Sequence, residues 1–209
     1  MGTNSAPSLA NLFLYAYESA YIDRLLRTEP ARAASFHMTF RYIDDTLSID
    51  NPLWQQAIDA KLIYPAQLSL ADTTPAVSTD PVHFLGMDIA TAADDPSRFR
   101  LSVYDKRDDF PFPVRRYPQC ASLIPHTIPY GVFLGQLHHG YRICTSSDDF
   151  LSFATSVAGR LVSNGCSARR LCVLFSTFVR RAATKYRHHR ELCSTFCLVT
   201  CEPSVGPSQ

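Results

Sequence analysis

The sequence predicts an α+β fold, because two periodicities succeed one another along it. Leu9, Leu12, Phe13, Ala16, Tyr17 and Ala20 recur at three and four positions, as on the apolar face of a helix. Phe36, Met38, Phe40 and Tyr42 alternate with His37, Thr39, Arg41 and Ile43, the period of a strand with one buried face. Beyond residue 130 three stretches return to helical spacing. This order implies a helix packed on an antiparallel sheet, followed by a helical bundle.

Asn4 or Ser5 can cap the first helix, and Pro7 falls in a first turn where its missing N–H costs nothing. Gly2 lets the backbone approach a ligand closely, and Asn4 and Ser5 offer hydrogen-bonding groups there; a plain capped helix is the alternative. The strand over 36–43 turns at Asp44-Asp45 and returns through Thr46 to Ile49. Asp50 or Asn51 caps a short helix from Pro52 through Trp54, Ala57 and Ile58, ended by Pro65 after Tyr64. Gln67 to Ala71, Val82 to Ile89 and Phe99 to Tyr104 read as an antiparallel meander between clusters of Thr, Pro, Asp and Ser.

From Asp105 to Pro129 the chain is rich in proline and charge and reads as a connector. Val132 to Ile143, Phe150 to Leu161 and Ala168 to Arg180 form a three-helix bundle, with Asp148, Asp149 and Ser167 near helix starts and Gly165 at a stop. Residues 191–209 are assigned to a flexible tail, since Glu202 to Gln209 carry Pro, Ser and Gly with little to bury.

With 209 residues, 46% of them hydrophobic, the chain can bury one large core or two small ones. No run approaches the roughly 18 apolar residues of a spanning helix, and the first residues lack the order of a signal peptide. An intracellular protein, nuclear or cytoplasmic and without a membrane partner, is the expectation. Seven cysteines at irregular spacing fit reduced thiols better than a disulfide framework. Cys193, Cys197 and Cys201 after His188 and His189 invite a zinc reading, but the spacing is no standard finger, and cysteines on one face of a short helix are the simpler account.

The net charge of +1 conceals an asymmetry of about −6 over residues 1–110 against +7 over 111–209. A basic segment of this kind can follow a phosphate backbone through counterion release. Arg169, Arg170, Arg180, Arg181, Lys185, Arg187 and Arg190 carry most of it, with a solvated helix face as the alternative.

Asp44 and Asp45 stand side by side at the end of an aromatic strand. Mg²⁺ is a hard cation that takes oxygen ligands and keeps several waters, so paired carboxylates sharing it with substrate phosphates are the expected protein contribution. Two such ions can stabilise the attacking and the leaving oxygen of an in-line phosphoryl displacement. A polar hairpin turn is the plain reading of the same residues. Arg41 beside them either steers phosphate or offsets their charge. Tyr42 either offers its ring and hydroxyl to a ligand or belongs to the core.

Met1-Gly2-Thr3-Asn4-Ser5-Ala6-Pro7 together with Phe40-Arg41-Tyr42-Ile43-Asp44-Asp45 resembles reverse transcriptases. In that family a Gly-containing loop and an Ala-Pro or Ser-Pro helix start position template and incoming nucleotide, and Tyr-x-Asp-Asp carries metal ligands. His83-Phe84-Leu85-Gly86-Met87-Asp88-Ile89 is similar to the family's primer-grip strand, which implies a primer contact at Phe84, Leu85 and Gly86. The stretch from Ser102 to Phe110, with Ile128-Pro129-Tyr130-Gly131 and Arg142-Ile143-Cys144, resembles the post-palm region of retroelement polymerases, Penelope-like elements in particular. The resemblance covers most of residues 1–180.

It implies a partial polymerase palm over 1–110, a connector over 111–130 and a thumb-like helical domain over 131–190. The activity implied is RNA-directed DNA synthesis, a two-metal nucleotidyl transfer from dNTP to a primer 3′-hydroxyl on an RNA template. Asp44 and Asp45 would be catalytic and would hold Mg²⁺ or Mn²⁺. Gly2, Asn4, Ser5, Pro7 and Tyr42 would face nucleotide and template, and Arg169, Arg170, Arg180 and Arg181 the nucleic-acid backbone. Lys61 lies where related polymerases carry a lysine that protonates pyrophosphate, although a solvated lysine at a helix end fits the residues as well.

One departure matters. The family takes a further metal-binding aspartate from a strand ahead of the Gly loop, and fingers hold the template. Neither Asp23 nor Asp50 is placed like that strand residue, so a fragment with little synthesis of its own is the expectation. A non-catalytic nucleic-acid-binding remnant is the alternative.

Overall fold

A 23-residue helix, α1 (Ala6–Thr28), opens the described chain, with Pro7 in its first turn. The computed structural model describes residues 5–77, 80–112, 114, 116–182 and 189–201. After α1 come α2 (Pro30–Ala34), a hairpin of β1 (Thr39–Tyr42) and β2 (Asp45–Ser48), and α3 (Pro52–Asp59). Asn51 caps α3, its side-chain oxygen accepting from the Leu53 N–H at 3.1 Å. These elements form a first unit, Met1–Thr74. Tyr21, Leu25, Ala33, Phe36, Ala57, Ile63 and Tyr64 are its core, with Tyr21 and Phe36 edge to face at 5.6 Å.

Three expectations are corrected in this unit. The periodicity of α1 suggested one buried face, yet Leu9, Leu12, Phe13, Tyr15 and Tyr17 are exposed and only Tyr21 and Leu25 are buried. Phe40 and Tyr42 were placed on the buried face of their strand, but they are 46% and 57% exposed while Arg41 on the other face packs against α1. The reason is chemical, because Arg41 finds its hydrogen-bond partners on α1 and takes the inner face with it. The strand expected over Gln67 to Ala71 is absent. Leu68 donates to Pro65 O in a turn, and Leu68 and Leu70 are exposed.

The second unit, Pro75–Gln209, holds β3 (Val82–Phe84), β4 (Met87–Thr91) and β5 (Phe99–Val103) in an antiparallel meander of that order. Residues 82–89 are a hairpin rather than the single strand expected. Phe84 pairs with Met87 across Leu85 and Gly86, both in the left-handed region at φ 51° and 76°, as a tight two-residue turn requires. Four helices follow, α4 (Ile128–Ile143), α5 (Ser147–Ser163), α6 (Ala168–Arg181) and α7 (His189–Cys201). Ser146 caps α5 and Ser167 caps α6, while Gly165 at φ 87° lets the chain leave α5.

Phe133, Phe150, Phe175 and Phe196 are fully buried at the centre of this bundle, with Phe175 and Phe196 stacked at 3.9 Å. Residues 191–201, assigned to a flexible tail, therefore lie in a helix that contributes Leu192 and Phe196 to the core. Residues 202–209 lie outside the described residues. The sheet belongs with this bundle rather than with residues 1–74. Arg100 of β5 forms a forked ion pair with Asp149 of α5 at 2.8 and 2.5 Å, and Leu101 exchanges hydrogen bonds with Thr145. Cys120 and Cys166 are disulfide-bonded with Cα atoms 5.7 Å apart, which corrects the expectation of reduced thiols for this pair. The α+β class is thus observed as seven helices and two small antiparallel sheets among the described residues.

Candidate functional site

The hairpin of the first unit carries the acidic pair. Its register sets Thr39 opposite Ser48, Phe40 opposite Leu47, Arg41 opposite Thr46 and Tyr42 opposite Asp45. The turn is therefore Ile43-Asp44, and Asp45 is the first residue of β2, not a turn residue as its sequence position suggested. Ile43 has φ 56°. A β-branched residue in that region is an outlier that costs about 1–3 kcal/mol and persists only where its surroundings over-determine it.

Asp44 and Asp45 are exposed, and among the described residues neither carboxylate has a hydrogen-bond or ion-pair partner. Two hard oxygen donors free to turn to solvent suit Mg²⁺ or Mn²⁺. Among the described residues no group of three or more His, Cys, Asp or Glu is placed to hold a metal, so the aspartates stand as a pair. Tyr42, at the end of the adjacent strand, is exposed, outside the core and opposite Asp45 in the register.

Arg41 behaves unlike either of its two sequence readings. Its Nε donates to Glu18 Oε1 at 2.6 Å, Nη1 to Asn11 Oδ1 at 2.7 Å and to Ile43 O at 3.1 Å, and Nη2 to Asn11 O at 3.2 Å. Its side chain is 12% exposed. Tyr64 donates to the same Glu18 oxygen at 2.6 Å. Sequence reasoning missed Glu18, Asn11 and Tyr64. The one available signal was Glu18 itself, a lone carboxylate in the apolar run from Leu12 to Tyr21. Beneath the hairpin a cavity of about 140 Å³, lined by Glu18, Tyr21, Phe36, Arg41 and Trp54, is too small for a nucleotide.

The remaining sequence candidates disperse. Gly2 and Asn4 lie outside the described residues. Ser5 precedes α1 in helical conformation and makes no side-chain cap, and Pro7 is a first-turn residue. Lys61 is exposed just past the end of α3, with φ 51°.

In the second unit Leu85 and Gly86 form the turn that follows Phe84. Beside it His83 Nδ1 lies 2.5 Å from Asp88 Oδ1, and the imidazole stacks on Tyr104 at 4.0 Å. The hydrogen bond from Tyr104 to Asp109 pushes the phenol up to about 12. Arg169, Arg170, Arg180 and Arg181 are exposed at the two ends of α6, and Arg170 lies over the Tyr130 ring at 4.2 Å. Arg190 is exposed in the first turn of α7, while Lys185 and Arg187 lie outside the described residues. His138 and His139 set their edges against Phe178 and Phe153.

Cys193, Cys197 and Cys201 share α7 at four-residue spacing, and Cys201 Sγ approaches Cys172 Sγ of α6 at 3.5 Å. Burial, then hydrogen bonds with Cys197 and Cys201, push the Cys172 thiol far up. His188 lies outside the described residues. No described helix is long and apolar enough to cross a membrane. Compared with protein-family models, curated proteins and solved structures, the chain matches none.

Proposed function

We propose that this chain is the palm and thumb part of a retroelement reverse transcriptase, a nucleotidyltransferase that joins dNTP to a DNA primer on an RNA template. The observation that supports this reading is the hairpin tip. Two adjacent carboxylates there are exposed and unpartnered among the described residues, on a turn that strains Ile43 to present them.

Asp44 and Asp45 would hold the Mg²⁺ or Mn²⁺ ions, which when bound supply charge neutralisation at the attacking and leaving oxygens. Tyr42 offers an aromatic face to nucleotide or primer, and Phe84, Leu85 and Gly86 take the primer contact that the resemblance assigns. The α6 arginines follow the duplex backbone. Two carboxylates are one fewer than the family uses, so synthesis requires a strand that carries the third aspartate. A non-catalytic nucleic-acid-binding remnant is the second reading, favoured by the four exposed arginines of α6.

Primer extension on an RNA template tests the proposal, with this chain and with the chain extended N-terminally by the fingers and first palm strand of a reverse transcriptase. Templated synthesis by the extended chain, abolished by Asp44→Asn, supports the polymerase reading. A folded extended chain that binds duplex yet makes no product supports the remnant.

A further inference from the structure

We propose that Arg41 is the positioning residue of the acidic hairpin, which clamps the Ile43 carbonyl to α1 so that Asp44 and Asp45 are presented in one fixed arrangement. The inference rests on the metal-site reading above and deepens it. Four hydrogen bonds occupy the guanidinium, three of them to Glu18 and Asn11 of α1 and one to Ile43 O at 3.1 Å. A planar fork with its Nε and Nη1 edges engaged has no bidentate face left for phosphate. Arg41 does not pair with Asp44 or Asp45 either, since its carboxylate partner is Glu18.

What the fork does reach is the one residue of the tip in a costly backbone conformation, Ile43 at φ 56°. A strained turn holds its shape only while its surroundings fix it. The anchor is itself fixed, because the Tyr64 hydroxyl donates to Glu18 Oε1 at 2.6 Å. The chain from α1 to the tip is thus continuous, and it ends one residue before Asp44.

The sign of the effect separates positioning from charge. A cation bound by the aspartates is repelled by Arg41, so removal of that charge alone would tighten binding. Positioning predicts the opposite.

The test is Mn²⁺ and Mg²⁺ titration of the wild-type chain, Arg41→Lys and Arg41→Gln, followed by NMR with backbone relaxation at Ile43 and Asp44. Lysine keeps the charge for Glu18 but not the fork, so it should fold while the tip loosens and ion affinity falls about tenfold, as for other groups that orient metal ligands. Arg41→Gln should also weaken binding despite the lost repulsion. Unchanged affinity and tip order in Arg41→Lys, or tighter binding by Arg41→Gln with an ordered tip, would overturn the inference alone. No ion-dependent shift at Asp44 or Asp45 in the wild type would overturn the metal reading and the inference with it.

Discussion

Tyr64 and Arg41 meet on a single atom, Glu18 Oε1, to which each donates at 2.6 Å. The pair closes a polar network against the small core of the first unit. Burial, then the hydrogen bond to Glu18 and its charge, push the Tyr64 phenol well above the tyrosine range.

A phenol raised in the folded state contributes stability that is complete below its unfolded value of about 10 and is lost as pH rises beyond it. Tyr64→Phe should cost about 1–2 kcal/mol at neutral pH and remove part of the alkaline loss. Trp54 is the only tryptophan and lies edge-on to Phe36 at 6.5 Å, so its fluorescence in urea reports this unit. An equal alkaline loss in Tyr64→Phe would show that Tyr64 is not its source.

Asp105 should govern acid stability in the second unit. Burial would raise its carboxyl, but hydrogen bonds from Arg107 and Arg160 outweigh that and hold it down to about 2. A depressed carboxyl contributes stability present above about pH 4 and lost as pH falls through its folded value, on the order of 2 kcal/mol here. Helix content followed by circular dichroism from pH 5 to 2 should show this loss, and Asp105→Asn should begin less stable and flatten the profile.

Two glycines of α4 should respond with opposite sign. A Cβ on Gly135 meets nothing within 4 Å, so Gly135→Ala should stabilise by about 0.5–1 kcal/mol through helix propensity. A Cβ on Gly140 would stand 2.5 Å from Phe153 Cδ1 and 2.9 Å from Cε1, so Gly140→Ala should destabilise by about 1–3 kcal/mol. Thermal unfolding of the two variants decides it.

The exposed arginines of α6 should bind duplex nucleic acid weakly and without sequence preference. Each phosphate contact contributes a slope of about −0.9 in log affinity against log salt on B-form DNA. Arg180→Ala/Arg181→Ala should lower both affinity and slope in filter binding across a salt series, with an RNA–DNA hybrid alongside DNA. A flat salt response would return these arginines to a solvated helix face.

Much of the local structure was legible in the sequence. Asn51-Pro52, Ser167 and Gly165 marked helix ends because caps and left-handed exits depend on the residues that make them. The strand at 39–42 was legible too, but not its inner face, since Arg41 is turned inward by partners 23 and 30 positions away. The turn within residues 82–89 was missed: Gly86 at φ 76° is the one residue there that favours it, and Leu85 at φ 51° gives no local sign. Leu192 and Phe196 at helical spacing were masked by the cysteines around them, and spacing could not reveal the Cys120–Cys166 pairing. In the site, the acidic pair was legible as residues. Its support by Glu18, Asn11 and Tyr64 is tertiary and was not.

Metal binding at the hairpin tip is the most direct measurement of the central claim. Isothermal titration of Mn²⁺ into the wild-type chain and into Asp44→Asn/Asp45→Asn should give a weak, saturable signal that the double variant loses, because the exposed pair supplies the hard oxygen ligands. Equal binding by the double variant, or none by the wild type, would contradict the account.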